Sequence, residues 1–385
     1  MKWPMVEIKT VADIVTGKTP SKSDSSLFGG PMPFITPVEL TNSNYLLEPK
    51  QYLSEKGVKV SKIIPKNSIL VCCIGSLGKI AIADKDVVTN QQINSVTFDP
   101  EKVDYKYGFY ALKLLKNELI NFAPSTTVPI VNKSRFSEMR IPLPSLNEQK
   151  HISTILDHVN SIITKRDESI KFADAFLRAT FLKMFGELEN NPRNFPVGTI
   201  RDLVSSVNYG SSCKASENNG RYPILRMGNI TYQGDWDFKD LKYIDLDDKS
   251  KDKFLVRKGD LLFNRTNSKE LVGKTAVFEN DIEMAFAGYL VRVRANELGN
   301  NYYISGYLNS LHGKSTLINM SKSIVGMANI NAQEMQNIKI LIPPKELQDK
   351  YEVIYKTVKS KVDTHIESKK ELEKLFNTLI NKFFN

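Results

Sequence analysis

Two proline-marked segments, "RIPLPSLNEQKHISTILDHV" (Arg140–Val159) and "KILIPPKELQDKYEVIYKTV" (Lys339–Val358), each open a long heptad pattern, and they lie 199 residues apart. Steps of three and four from Leu156 pass through Val159, Ile163, Arg166, Ile170, Ala173, Leu177, Thr180 and Met184, and seven of these nine are apolar. Adding 199 gives Tyr355, Val358, Val362, His365, Lys369, Leu372, Phe376, Leu379 and Phe383, again seven of nine. Apolar residues at that spacing form a coiled-coil seam, here twice in one register. A helix of about 39 residues is roughly 58 Å long, more than a small domain needs to cover its own core. The simplest arrangement packs the two helices on each other, antiparallel, and holds two globular domains apart.

The helices belong to a longer repeat. "VADIV" (Val11–Val15) aligns with "IRDLV" (Ile200–Val204), and "MPFITPVEL" (Met32–Leu40) with "YPILRMGNI" (Tyr222–Ile230). "KNSILVCCIGSLGKIAIADKD" (Lys66–Asp86) aligns with "KGDLLFNRTNSKELVGKTAVFEND" (Lys258–Asp281), and "VNKSRFSEMRIPLP" (Val131–Pro144) with "INAQEMQNIKILIP" (Ile330–Pro343). The order is kept and identity is low, so each half is one globular domain followed by one long helix. The expected divisions are 1–145 (first domain), 146–185 (first helix), 186–195 (linker), 196–343 (second domain) and 344–385 (second helix). Pro142 and Pro144, and Pro343 and Pro344, end the last strand of each domain and force an extended path into the helix. Asn147 is the expected cap of the first helix, and "GELENNPRNFP" (Gly186–Pro196) reads as the linker. Within the domains, short alternating runs such as "SILVCCI", "KIAIA", "INSVTF", "DLLFN", "KTAVF" and "GYLVRVR" read as strands. A short helix follows in each half ("DYKYGFYALKLLKNELINFA", "YYISGYLNSLHGKSTLINM"). The fold class is α/β (α+β), with mixed and mostly antiparallel strands.

Composition narrows the function. Net charge is +10, from 53 basic and 43 acidic residues. The excess is spread over both halves and favours an anionic partner such as nucleic acid. No apolar run is long enough to span a membrane, and "MKWPMVEIKT" lacks the apolar core of a signal peptide. The three cysteines fit a reducing compartment, and adjacent Cys72 and Cys73 are badly placed to pair with each other. A cytoplasmic location is the expectation.

Two diverged globular domains, each followed by a long helix that begins at P-x-P or P-P with "NEQ" or "ELQ", resemble the specificity subunit of type I restriction–modification enzymes. The residues that carry the likeness are "VTGKTPSK" (Val15–Lys22), "IPLPSLNEQKHI" (Ile141–Ile152), "LRMGNI" (Leu225–Ile230), "LLFNRTNSKELVGKTAVF" (Leu261–Phe278) and "ILIPPKELQ" (Ile340–Gln348). The second half departs at one point: "VNYGSSCKAS" (Val207–Ser216) stands where the first half has its "TGKTP". The resemblance implies that each domain is a target recognition domain reading one half of a split site on double-stranded DNA. It implies that the helix pair sets the half-site spacing and docks two modification (methyltransferase) subunits and two restriction (motor/nuclease) subunits. It further implies a chain that is not itself an enzyme and binds no cofactor, with S-adenosylmethionine, ATP and magnesium on the partner subunits, and no membrane. A two-fold repeat also suits the two-fold symmetry of DNA backbones, and differing domains imply differing half-sites. The rival reading is a coiled-coil adaptor that binds only proteins.

Base reading needs donors and acceptors on projecting loops, with cations for phosphates. In the first domain the candidates are Lys18, Thr19, Ser21 and Lys22, then Ser76 and Lys79, then Gln91, Gln92 and Asn94, and finally Thr126, Thr127 and Lys133. In the second they are Tyr209, Ser211, Ser212 and Lys214, then Arg226 and Asn229, then Asn264, Arg265, Thr266, Asn267 and Lys274, and finally Ser323 and Asn329. Enzyme motifs fall short. "SKELVGKT" (Ser268–Thr275) nearly matches a phosphate-binding loop but has Ser268 where glycine is needed. "NNPRNF" (Asn190–Phe195) lacks the second proline of a DNA-methyltransferase motif. Four histidines and three cysteines show no metal-ligand spacing, and His151 and His158, seven apart, belong to a helix surface or seam.

Overall fold

The computed structural model describes residues 3–41, 44–122, 128–324 and 327–384, with only the backbone of Lys322–Ile324. Two compact units emerge, residues 1–165 with 370–385, and residues 166–369. Each therefore contains one globular domain, part of the helix that follows it, and part of the helix that follows the other domain.

The long helices are Leu146–Phe185 and Lys345–Phe384, 40 residues each. None of the eighteen seam residues read from the heptads is exposed. The first helix is capped by Ser145, not by Asn147. Ser145 Oγ lies 2.8 Å from Glu148 Oε2, and the Glu148 amide donates back to Ser145 Oγ at 3.4 Å. Ser145 wins because it has a glutamate three residues on, which completes a capping box; Asn147 sits inside the first turn. The helix stops at Gly186, whose φ of 75° is a left-handed cap.

Within the second unit the helix pairing is antiparallel. Arg166 donates to His365 Nδ1 at 2.9 Å, Asp174 lies 3.6 Å from Lys359, and the rings of Phe181 and Tyr351 are 5.3 Å apart. Residue numbers rise on one helix as they fall on the other. Arg166 and His365 are the same heptad position in the two repeats, so the polar seam residues meet each other.

The first domain has a four-stranded antiparallel sheet in the order Ala12–Thr16, Ile93–Phe98, Ile69–Cys72, Ile80–Ile82. The second repeats it as Val204–Tyr209, Leu290–Ala295, Leu261–Asn264, Thr275–Val277. A three-stranded sheet adjoins each: Gln51–Leu53, Phe28–Ile35, Val88–Thr89 in the first, and Lys242–Ile244, Tyr222–Leu225, Ala285–Phe286 in the second. Its last pair is parallel in both, with Phe34 opposite Val88 and Ile224 opposite Ala285. The helical segment after the sheet is two helices in each domain rather than one: Tyr105–Leu114 with Lys116–Phe122, and Asn301–Leu308 with Leu311–Met320. In the second domain Ser310 caps the later helix by accepting from the Gly313 amide, so the break has a local chemical cause.

Shared hydrogen bonds correct one part of the sequence alignment. Ile8 and Ile200 donate to the carbonyls of Met139 and Ile338, and the carbonyls of Val11 and Leu203 accept from Asp99 and Asn296. Val11 therefore matches Leu203, three residues beyond the register read from "VADIV" and "IRDLV". A bulge between Val204 and Ser206 then adds one residue, so that Gly17 matches Gly210 further along.

The glutamines of "NEQ" and "ELQ" have a structural reason. Gln149 and Gln348 have no exposed surface. Each side-chain amide donates to two carbonyls: Lys102 and Pro144 at 3.0 and 2.9 Å, and Leu298 and Pro343 at 2.9 Å each. They clamp the proline corner to the loop that leads into the domain's own helices. Replacing Gln149 or Gln348 with alanine strands the buried carbonyl of the proline corner and releases a second, part-buried one, and is expected to cost about 1–3 kcal/mol, measured by urea unfolding of the full chain.

Candidate nucleic-acid interface

At one end of the second domain's four-stranded sheet, four loops surround a groove of about 840 Å³. They run through Ser211–Ala215, Arg226–Asn229, Asn267–Lys274 and Ala287–Tyr289. Six of the residues picked from sequence line it: Ser211, Ser212, Arg226, Asn229, Asn267 and Lys274. The loop beginning at Gly210 is the one whose sequence departs from "TGKTP", yet its backbone is the same. The Gly17 amide bonds to Ile93 O and the Lys18 amide to Thr89 O; the Gly210 amide bonds to Leu290 O and the Ser211 amide to Phe286 O. A Cβ on Gly17 would overlap the carbonyls of Thr89 and Asn90, and one on Gly210 those of Phe286 and Ala287. Glycine is required at both, so "YGSS" does the structural work of "TGKT".

Many of the polar candidates already have partners within the chain. Arg226 donates to the Asp240 carbonyl and carboxylate at 2.7 and 3.1 Å. Asn229, 3% exposed, accepts from the Arg226 amide at 2.8 Å and donates to Asp237 O at 2.8 Å. Glu39 caps the equivalent loop of the first domain, accepting from the Thr36 amide at 2.8 Å. Lys274 reaches the Ile230 carbonyl, as Lys79 reaches Pro37 O at 3.2 Å. Burial pushes the Lys274 ammonium below its ordinary pKa. Thr275 is buried and donates to Gly273 O, so this "GKT" builds a turn and cradles no phosphate. Asn264 and Thr266 are buried in the second domain, and Asn94 in the first, where it accepts from Thr16 at 2.6 Å. Ser211 is buried and accepts from the Cys213 amide. Asn264, Thr266 and Asn94 are packed into the loops, while Ser211, Arg226, Asn229 and Lys274 also line the groove.

The remaining candidates lie at the surface or in small clusters. Lys18, Ser21, Lys22, Ser76, Lys133, Ser212 and Lys214 are exposed. Thr19 donates to Gln91 at 2.5 Å, which joins the "TGKTP" loop to "TNQQIN". Gln92 accepts from Asn90 at 2.9 Å and donates to Ile74 O at 3.3 Å, which ties in the "IGSLGK" loop. Tyr209, Arg265 and Asn329 form a group beside the groove. Thr126 and Thr127 lie outside the described residues, as does the side chain of Ser323. Sequence reading missed Tyr289, which lines the groove and is 53% exposed, together with Met227 and Leu271. The signal for Tyr289 was an aromatic residue beside the glycine that opens "GYLVRVR". Cys72 and Cys73 are buried, and burial pushes the Cys73 thiol up to about 12, so it stays protonated. His151 and His158 are exposed on the first long helix. Among the described residues no helix is long and apolar enough to cross a membrane.

A family profile described as "Type I restriction modification DNA specificity domain" matches residues 1–171 and again 192–374. This chain belongs to that family. Over 412 residues this specificity-family chain is 22% identical to the type I restriction enzyme MjaIX specificity subunit of Methanocaldococcus jannaschii, covering 99% of this chain and 92% of that protein. It is 23% identical over 371 residues to the type I restriction enzyme EcoKI specificity subunit of Escherichia coli K12, covering 90% and 80%. In fold it is similar to the S subunit of a type I restriction–modification system from M. genitalium, with a TM-score of 0.66 at 18% identity over 100% of this chain and 96% of that one. The two family matches coincide with the two repeats read from the sequence, and a coiled-coil adaptor without DNA specificity domains is set aside.

Proposed function

We propose that the chain is the DNA-reading subunit of a type I restriction–modification enzyme and that it reads a split, asymmetric site, one half with each domain. The observation that carries this reading is the repeat of scaffold without repeat of surface. Gly17 and Gly210 hold equivalent backbones, as do the loops of Glu39 and Asn229, while the side chains those loops display differ. Equivalent frames with different donors and acceptors suit two half-sites of different sequence. The helix pair would dock the modification subunits and, for cleavage, the restriction subunits. The chemistry would then belong to the partners, with S-adenosylmethionine, ATP and magnesium bound there and none by this chain.

The test is methylome sequencing of a methylation-free host that expresses the chain with its cognate modification subunit. Methyladenine confined to one split motif is expected. Exchanging residues 196–343 for those of a relative should alter one half of the motif and leave the other half intact. A confirmed, active complex that yields no new motif would sink the reading.

A further inference from the structure

Many cations of the second unit already have a counter-charge or an acceptor. Arg226 has Asp240, Arg292 and Arg294 have Asp260, Lys359 has Asp235, and Lys274 and Lys314 have the carbonyls of Ile230 and Tyr232. Arg265 has an amide acceptor and, among the described residues, no ion pair; it is only partly exposed and its backbone is held on both sides. Its amide donates to Tyr289 O at 3.0 Å and its carbonyl accepts from Ile330 at 2.9 Å. Its guanidinium lies 5.1 Å from the centre of the Tyr209 ring, and Nη2 donates to Asn329 Oδ1 at 3.5 Å. Nε is buried without a partner. Tyr209 is itself fixed, since its hydroxyl accepts from the Ala332 amide at 3.1 Å. The matching position of the first domain is Cys73, whose amide and carbonyl bond to Gln92 and Val131 in the same way and whose side chain is buried. The frame therefore does not require an arginine here.

Resting on the DNA-reading function proposed above, we infer that Arg265 reads a guanine in the second half-site and is the specificity determinant at that position. A planar fork clamped by an aromatic face and an amide is preorganised for the O6 and N7 acceptors of guanine. A phosphate contact asks for less: a mobile point charge suffices, and exposed Lys214 on the neighbouring loop supplies one. Among the described residues one of the five N–H donors of Arg265 is engaged by a protein acceptor and Nε is buried, so the remaining guanidinium N–H groups are the ones offered to a base.

The experiment is the methylome of the full complex carrying Arg265→Ala, Arg265→Lys or Lys214→Ala, with oligonucleotide competition on the purified complexes. For both Arg265 variants one G·C position of the second half-site should become degenerate, with discrimination falling about tenfold or more, while the first half-site keeps its sequence. Lysine should not rescue, because it keeps the charge and loses the fork. Placing 7-deazaguanine at that position should weaken the wild-type complex and leave Arg265→Ala unchanged. Lys214→Ala should lower affinity evenly and leave the motif intact. An unchanged motif in Arg265→Lys, or an even loss over all sites with wild-type base preference kept in competition, overturns the inference. If the wild-type chain directs no split motif at all, the function itself falls, and the two failures are told apart.

Discussion

Asp260→Ala is expected to remove about 3–5 kcal/mol of stability from the second unit, because it strips the counter-charge from buried cations. Asp260 is 4% exposed. It accepts from the Arg257 amide at 2.8 Å and from Arg294 Nε and Nη2 at 2.7 and 3.0 Å. Arg292 Nε lies 3.9 Å from the same carboxylate, and the Arg292 side chain is only 4% exposed. The other contacts of Arg292 are neutral: Leu255 O at 2.6 Å, Asn208 Oδ1 at 3.3 Å and the Phe286 ring at 5.3 Å. Burial already pushes the Arg292 guanidinium below its ordinary pKa, and Asp260 opposes that push. Without the carboxylate, Arg294 can turn to water, being 28% exposed, but Arg292 cannot. Adding Arg292→Met to Asp260→Leu should therefore recover most of the loss, since replacing a buried ion pair by apolar groups is often neutral. Denaturant unfolding of the full chain measures both effects. A single-variant loss below about 1 kcal/mol would mean that water reaches Arg292. The first domain has Ser68 at the equivalent position, bonded to Thr97 at 2.8 Å, so its serine-to-alanine variant should lose only about 1 kcal/mol.

Phe181→Ala should cost a similar amount, about 3–5 kcal/mol, by loss of buried area and creation of a cavity. Phe181 is 5% exposed on the first long helix. Its ring lies 4.9 Å from Phe185 on the same helix, 5.6 Å from Tyr303 in the domain helix Asn301–Leu308, and 5.3 Å from Tyr351 on the second long helix. One side chain thus holds three elements of the second unit together. A cavity of about 260 Å³ already borders Phe181, Phe185, Tyr303 and Tyr307, so truncation enlarges an existing void that the walls have not closed. Unfolding midpoint and slope together provide the check. A loss below about 1 kcal/mol would show that the helices collapse onto the space. Phe176, on the same helix and 55% exposed, should be nearly neutral when replaced by alanine.

The sequence was most readable where one periodicity governs. Leu156, Val159 and Leu177 are buried as the heptads require, and the alternating runs "INSVTF" and "GYLVRVR" are the strands Ile93–Phe98 and Leu290–Ala295. It was least readable in the loops. Asn264, Asn229 and Lys274 look like base or phosphate readers because amides and ammonium groups serve DNA well, but the same groups satisfy buried carbonyls and amides. Hydrogen bonding inside a loop and hydrogen bonding to a partner draw on the same residue types. Composition cannot separate the two uses. The equivalence of "TGKT" and "YGSS" was hidden for the opposite reason: it rests on a backbone approach that only Gly17 and Gly210 report.

The sequence by itself determined the repeat, the two long helices, their seam and the strand content of each domain, because heptad and alternating patterns act through neighbours a few residues away. It did not determine what the ends of the helices grip. In the first unit Phe384 stacks on Tyr107 at 5.2 Å, and in the second Phe185 meets Tyr303 at 4.6 Å. Each of those tyrosines bonds through its hydroxyl to the strand beside the proline corner, Tyr107 to Pro142 O and Tyr303 to Leu341 O. Phe185 and Phe384 are 199 residues apart, so each helix closes its aromatic end on the domain that it does not follow. A periodic pattern defines a buried face but carries no address for the surface that buries it. Only the tertiary structure could supply that partner.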